Sequence, residues 1–240
     1  MSIRKSGSNK MNSGQNLPPA EEKRATVTAM FDRIAPRYDL VNRLMTFRLD
    51  VKWRRKSIQA LGLPDQSIIL DIACGTGDFC RDLQKENFNS FGIDLSKGML
   101  SSARTSSPLV NADALTLPIG DNSIDGVTCG FALRNFTSLP PFFKELERVL
   151  RSGGRIALLE VDQPANKILR FGHKIHFGKI VPLIGSLLSD STAYRYLPES
   201  VSYLPAFEDL KSMLSTAGFI EVKKVKLTGG VAQVISATKP

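Results

Sequence analysis

An apolar run that ends on an acid and then bends through two glycines is the part of this sequence best suited to chemistry: Leu70-Asp71-Ile72-Ala73-Cys74-Gly75-Thr76-Gly77-Asp78-Phe79. The run reads as a strand and the residues after Gly77 as a helix. Gly75 and Gly77 therefore sit in the bend, where backbone can approach a ligand closely, and the helix start offers unpaired N–H groups to an anion. A nucleotide-like cofactor suits such a bend. Position 80 is Cys80 and not the third glycine of G-x-G-x-x-G, so the dinucleotide fingerprint fails. The phosphate-loop pattern G-x-x-x-x-G-K-[ST] fails for want of its lysine.

What remains resembles motif I of the class I S-adenosylmethionine methyltransferases, D-x-x-x-G-x-G, carried by Asp71, Gly75, Thr76 and Gly77. Further acids arrive in order. Asp94 closes the second strand, where a carboxylate can accept from both ribose hydroxyls. Asp113-Ala114 closes the third, where the resemblance implies adenine recognition, and Gly130, just after the fourth, joins the implied cofactor-binding set. S-adenosylmethionine has no phosphate, so the helix start would meet its carboxylate. Asp71 would favour its amino group and, more weakly, its sulfonium.

The resemblance extends to the ubiquinone/menaquinone biosynthesis C-methyltransferases over about residues 21–240. Their first signature is similar to Tyr38-Asp39-Leu40-Val41-Asn42 followed by Trp53-Arg54, and their second to Arg148-Val149-Leu150-Arg151-Ser152-Gly153-Gly154-Arg155 leading to Leu159-Glu160. Between them Phe131-Ala132-Leu133-Arg134-Asn135 resembles F-G-L-R-N, and a later stretch resembles residues 194–200. The sequence departs from the pattern in places. Asp50 and Val51 stand where the first signature usually carries His and Arg, Ala132 replaces a glycine, Cys129 or Gly130 stands for a serine, and Ile235 stands where a strand histidine is common. These departures argue against a histidine base.

The resemblance implies methylation of a ring carbon of a prenylated quinol, either demethylmenaquinol or a methoxy-benzoquinol. Such a carbon becomes nucleophilic when the neighbouring hydroxyl loses its proton. Arg134 is the first candidate to stabilise that oxyanion, with Asn135 orienting the ring oxygen or a water. Tyr38 would bond the quinol from a lid and Asp39 would accept its proton through water. The substrate's tail is bilayer-resident, which implies transient contact with an anionic membrane surface. The basic, apolar stretch over residues 166–188 is the candidate element, with a helical insert packed on the sheet as its structural alternative.

The elements that must position these residues follow from hydrophobic period. Val27, Met30, Phe31 and Ile34, then Tyr38, Leu40, Val41, Leu44 and Met45, then Trp53, Ile58 and Leu61, predict three helices that could form a lid over residues 21–63. Beyond Pro64, strands over 67–72, 90–93, 109–111, 126–129 and 155–161 alternate with helices near 77–86, 97–105 and 139–151. That alternation predicts an α/β fold with a mostly parallel sheet. The methyltransferase resemblance makes it Rossmann-like and seven-stranded, with an antiparallel last strand. The cofactor-binding half spans 64–162, an insert 163–205, and a final helix and hairpin 206–240. Residues 1–20, basic and without hydrophobic period, read as a disordered tail.

A chain of 240 residues favours one elaborated domain, and 42% hydrophobic with 23% charged residues is a globular composition. No apolar run is long enough to span a bilayer and no secretory signal is visible, so a cytoplasmic protein, peripheral at the membrane, is expected. Cys74, Cys80 and Cys129 are scattered, and His173 and His176 have no nearby cysteine, so neither a metal site nor covalent catalysis is expected. The nearest alternative is another class I methyltransferase acting on a sterol, a small phenol or RNA; the net charge of +9 keeps RNA open, although no RNP-like motif is present and no nucleic-acid partner is expected. A catalytically silent cofactor-fold subunit is the reading from another class, and intact Asp71, Gly75, Gly77 and Asp94 speak against it. A homodimer is compatible with exposed helices, but no self-complementary patch is legible.

Overall fold

A computed structural model describes residues 20–176, 178, 181 and 200–240. Three helices come first: α1 (Ala20–Ile34), α2 (Tyr38–Met45) and α3 (Leu49–Leu61). Then β1 (Ile68–Ile72), α4 (Asp78–Lys85), β2 (Asn89–Asp94), α5 (Lys97–Ser101) and β3 (Leu109–Asn111) alternate. β4 (Ile124–Gly130), α6 (Leu139–Val149), β5 (Leu150–Val161), α7 (Lys167–Ile175), α8 (Phe207–Ala217), β6 (Ile220–Leu227) and β7 (Ala232–Thr238) complete the described elements. Within the insert, residues 177, 179, 180 and 182–199 lie outside the described residues, and with them all of the 194–200 stretch but Ser200; the tail up to Ala20, where α1 begins, lies outside them too.

The seven strands form one sheet in the order β3-β2-β1-β4-β5-β7-β6. All pairs from β3 to β5 are parallel, and β7 runs antiparallel to both neighbours. β1 leads out to β2 on one side and pairs with β4 on the other, so the order reverses there. The crevice at the carboxyl ends of these strands is where an open α/β sheet takes ligands.

Side chains alternate between two cores. Leu70 and Ile72 of β1 join Val127, Ile156, Phe142, Phe143, Leu146 and Leu214 beneath α6 and α8. Ile69, one residue out of phase, joins Trp53, Leu61, Phe79, Leu83 and Leu159 beneath α3 and α4. A third cluster packs Met30, Ile34, Val41 and Met45 of the lid against Met99 of α5.

Several boundaries depart from the periodicity. α5 stops at Ser101 because the chain turns back, the Arg104 amide donating to the Thr76 carbonyl at 3.0 Å before Pro108 leads into β3. β5 starts at Leu150, inside the helix expected to reach residue 151, because Leu150 pairs with Ile124 ahead of a bulge that restores register at Gly126 and Arg155. β7 starts at Ala232, one residue after the 231–238 that its apolar run suggests, since Thr228, Gly229 and Gly230 all take left-handed angles in the preceding turn.

The lid is fastened by polar bonds. Asp32 of α1 accepts from the Ser96 hydroxyl (2.6 Å) and the Gly98 amide (2.8 Å). A Cβ at Gly98 would stand 2.7 Å from the Asp32 Cα, so glycine is what lets the two elements meet. Trp53 donates its indole N–H to Thr228 (2.8 Å), joining α3 to the β6–β7 turn. Arg54, buried, meets Asp50 (2.8 Å), Asp78 (3.1 Å) and Asp82 (2.8 Å), joining α3 to α4. Arg54→Ala should lower stability by about 3–5 kcal/mol, because three poorly solvated carboxylates lose their counter-charge. Urea denaturation checks this.

Candidate active site

The bend after β1 is built from unusual backbone. Ala73, Gly75 and Gly77 have φ of 52°, 55° and 81°. The Cys74 amide donates across to the Ile93 carbonyl (3.1 Å) and the Gly75 amide to Asp94 Oδ2 (2.7 Å), so the bend is stitched to the end of β2. A Cβ on Gly75 would meet nothing within 4 Å, whereas one on Gly77 would strike Thr105 at 2.5 Å. Gly75 thus opens a cradle and Gly77 serves packing. At the end of β4, Phe131 also has a left-handed φ of 58°, and a Cβ at Gly130 would collide with the Phe79 ring. Ala73 and Phe131 are non-glycine residues held in a sparsely populated region on adjacent strand ends, a conformation that persists only where the surroundings impose it.

Two cavities meet here. One, of about 140 Å³, is lined by Asp94, Asp113, Ala114, Asn135 and residues of α1. The other, of about 120 Å³, is lined by Asp71, Thr76, Arg134, Asp50 and Trp53 among others. They share Tyr38, Ala73, Gly75, Gly130 and Phe131 as a common wall. Of the residues singled out from the sequence, all but Gly77 and Asp39 line one or both. Asp39 accepts a hydrogen bond from the Thr76 hydroxyl and faces a separate, basic cavity, so the geometry does not bring it to the common wall as a proton acceptor.

Arg134 is not the free donor that its place in the motif suggests. It is buried and pairs through Nη1 with buried Glu160 at the end of β5. Nη1 also donates to the Phe131 carbonyl (2.7 Å), and Nε donates to Ser200 (3.1 Å). Nη2 has no partner among the described residues. Asn135 follows in a short 3₁₀ turn, its amide bonded to the Ala132 carbonyl (2.8 Å). Lys23 of α1 donates to the carbonyls of Arg134 and Phe136, both at 3.2 Å.

Sequence reasoning does not assign Glu160, Ser200, Lys23, Arg24 or Asp32 a place at the site. Glu160 carries a usable signal, an acid closing an apolar strand, as Asp71 and Asp94 do. The lid contacts carry none, because they depend on where α1 lands. Arg24 meets Asp113 at 2.8 Å, so this acid, expected to face a ligand, also holds the lid.

Burial shapes the titration of the walls. Asp94, whose Oδ1 accepts from the Ser96 amide at 2.8 Å, is raised by burial. The Tyr38 phenol is also raised by burial, against an opposing hydrogen bond with Asn42. A hydrogen bond with Cys80 and burial push the Cys74 thiol up, which removes it as a nucleophile. Burial raises Asp71 to about 8, although bonds from Thr128 (2.8 Å) and Cys80 oppose the shift.

For Asp71 the folded state holds its proton long after the unfolded chain has lost it. Its contribution to stability therefore falls as pH rises from about 4 to about 8 and is level above that. Asp71→Asn should remove this part of the slope, so wild type should lose more stability than the variant over that window. Urea titrations at several pH values check it.

Comparisons with known proteins agree with the geometry. Residues 19–239 match the model of the ubiE/COQ5 methyltransferase family. The ubiquinone/menaquinone biosynthesis C-methyltransferase UbiE of Geotalea uraniireducens is 35% identical over 91% of this chain and 98% of its own. The demethylmenaquinone methyltransferase of Thermus thermophilus is 39% identical over 88% of this chain and all of its own. Among solved structures, a methyltransferase from Thermotoga maritima described as a possible histamine N-methyltransferase superposes with a TM-score of 0.63 at 20% identity, over 89% of this chain and 99% of that one. Haemonchus contortus phosphoethanolamine N-methyltransferase 2 in complex with S-adenosylmethionine gives 0.58 at 15% identity, over 79% and 52%. The bend after β1, the acids that close successive strands and these matches along nearly the whole chain lead to one conclusion: this protein belongs to the ubiE/COQ5 methyltransferase family.

Proposed function

We propose that the protein transfers a methyl group from S-adenosylmethionine to a ring carbon of a prenylated quinol, with demethylmenaquinol as the foremost substrate and the methoxy-benzoquinol of ubiquinone synthesis as the other branch. The observation that carries this reading is the common wall of Tyr38, Ala73, Gly75, Gly130 and Phe131, across which a donor with its adenine in the first cavity and its amino group in the second would present its methyl group to an acceptor beside Tyr38 and Arg134. The names of the Geotalea and Thermus relatives support the substrate class.

The residues present fit the donor. Gly75 leaves open the space that a Cβ would fill, and Asp94 offers lone pairs to hydroxyls beyond its two backbone bonds. Asp113 and Ala114 line the far end of the first cavity for the adenine, and Asp71 lines the second for the amino group. When bound, the cofactor supplies an electrophilic methyl group. The chain must do the rest. Nη2 of Arg134 can donate to the quinol oxygen and favour its ionised form, which sends electron density into the ring as the hydroxyl proton passes to water. The carbon that gains the methyl group then gives up its own proton to water. Glu160 and Ser200 fix the guanidinium, and Asn135 can orient the same oxygen or a water. Tyr38, a phenol protonated at neutral pH in any case and raised further by burial, is a donor from the lid. Proximity supplies most of the rate, since reacting atoms aligned at ~3–3.5 Å remove roughly 7–11 kcal/mol of barrier.

The substrate's tail requires that the protein work at a membrane surface, and no helix among the described residues is long and apolar enough to cross one. α7 exposes Ile168 and Phe171 beside Lys167 and Arg170, a composition suited to lipid contact.

Purified protein incubated with labelled S-adenosylmethionine and each prenylated quinol tests the reading, and failure of both quinols to take up label would refute it. Arg134→Lys keeps the charge near Glu160 but loses the planar fork, and should lower kcat by about 10²-fold with the fold retained. An unchanged kcat would remove Arg134 from the chemistry. A cation settling beside Asp71 favours its ionised form, so cofactor binding should release a proton below about pH 8 and tighten as pH rises toward that value. Calorimetry in buffers of different ionisation heat reads that proton directly.

A further inference from the structure

α2 has two apolar faces. Val41 and Met45 point into the protein, while Leu40, Leu44 and Phe47 form an outward stripe with 56%, 45% and 71% of their surface exposed. Phe47 and Arg48 take successive left-handed angles, φ 51° and 61°, at the corner between α2 and α3. His176, which follows α7, abuts the same corner: its Nε2 bonds the Met45 carbonyl (2.7 Å) and its ring lies 5.4 Å from that of Phe47.

Beside the stripe is a cavity of about 280 Å³ between α2, α3 and α4, lined by Arg43, Arg48, Arg54, Arg81, Lys85 and Arg104 together with Asp39, Asp82 and Val51. Arg54 is neutralised by three aspartates, and Arg43 and Arg81 share Asp78. Arg48 and Arg104 carry no ion pair among the described residues, and Nε of Arg43 is buried without a partner. A smaller cavity of about 160 Å³ shares Asp39, Arg43 and Arg104 and reaches Leu40, so the unneutralised cations and the apolar stripe adjoin.

We propose that this corner docks on a bilayer containing anionic phospholipid, the cavity of Arg43, Arg48 and Arg104 receiving a headgroup phosphate while Leu40, Leu44 and Phe47 enter the acyl boundary. Charge and apolarity select this occupant together. A soluble phosphate would use the arginines and leave the stripe bare. A second copy docked face to face would bring like charges together. A lipid surface presents an anionic layer above an apolar one, in the order this corner offers them. The assignment rests on the proposed substrate only in that a prenylated quinol must be met at a membrane, and lipid binding can be read without turnover.

The test is co-sedimentation of the full chain with vesicles of phosphatidylcholine alone and of phosphatidylcholine with phosphatidylglycerol. Binding should be confined to the anionic vesicles and weaken with salt. Arg48→Glu combined with Arg104→Glu should lower it by roughly tenfold or more, as should Phe47→Ser combined with Leu44→Ser by removing apolar area. All variants should still methylate a water-soluble short-chain quinol at the wild-type rate. Equal binding to both vesicle types would overturn the proposal, as would unchanged binding by the double charge reversal or a Phe47-dependent dimer in light scattering. Thermal stabilisation by inorganic phosphate through Arg48 and Arg104, with no vesicle binding, would reassign the cavity to a soluble anion. Vesicle binding without methylation of any quinol would leave the docking surface standing and remove the substrate reading instead.

Discussion

One carboxylate holds the centre of the molecule in place. Asp94 uses one oxygen to fix the Gly75 amide and the other to fix the Ser96 amide, so the bend after β1 and the start of α5 are referred to a single side chain at the end of β2. Ser96 in turn bonds Asp32 of the lid. A ligand group that meets Asp94 therefore meets a carboxylate already oriented by two backbone donors, with little freedom left to lose on binding. The left-handed angle at Ala73 falls in the bend that Asp94 holds, and the one at Phe131 sits where its amide donates to the Leu159 carbonyl (2.7 Å), since such a conformation needs neighbours that impose it.

Two buried arginines divide the remaining work. Arg54 draws Asp50, Asp78 and Asp82 together and so clamps α3 of the lid to α4, the helix that follows the bend. Arg134 binds Glu160 and so ties the end of β4 to the end of β5. Neither pair is a large source of stability, because removing two charges from water costs about as much as their attraction returns. What each supplies is a defined geometry in a region where apolar packing alone would leave side chains several choices. The lid is thereby set against the strand ends at fixed points and not merely laid over them.

Much of this is legible in the sequence, and the limits have physical causes. The strands stand out as apolar runs, and the acids that close β1 and β2 mark the cavity from residue type and position alone. Family resemblance points to Arg134 and Tyr38, and both line the cavities. What stays hidden is pairing across distance. Lys23 reaches Arg134, and Arg24 reaches Asp113, by the trajectory of α1, which no local pattern encodes. Adjacency to Tyr38 in the chain suggests that Asp39 lies beside the substrate. On a helix, successive residues point about 100° apart, and its carboxylate turns to Thr76 instead. The end of α5 is equally illegible, because a backbone bond from Arg104 to Thr76 competes with the helical one.

The two places where the family often carries a histidine fall differently in the fold. Ile235, at one of them, is buried in β7 between β5 and β6 and lines neither cavity. Asp50, at the other, lines the second cavity but is held by Thr46 (2.6 Å) and Arg54. Burial raises Asp71, Asp94 and Tyr38, which moves all of them toward their neutral forms. Against that background Arg134 lines the second cavity while its partner Glu160 does not. The pair presents its positive end to the cavity and keeps its negative end inside the protein. In the same cavity burial raises the Tyr38 phenol while the Arg134 charge works to lower it, so the fixed positive edge opposes the penalty that burial places on a phenolate.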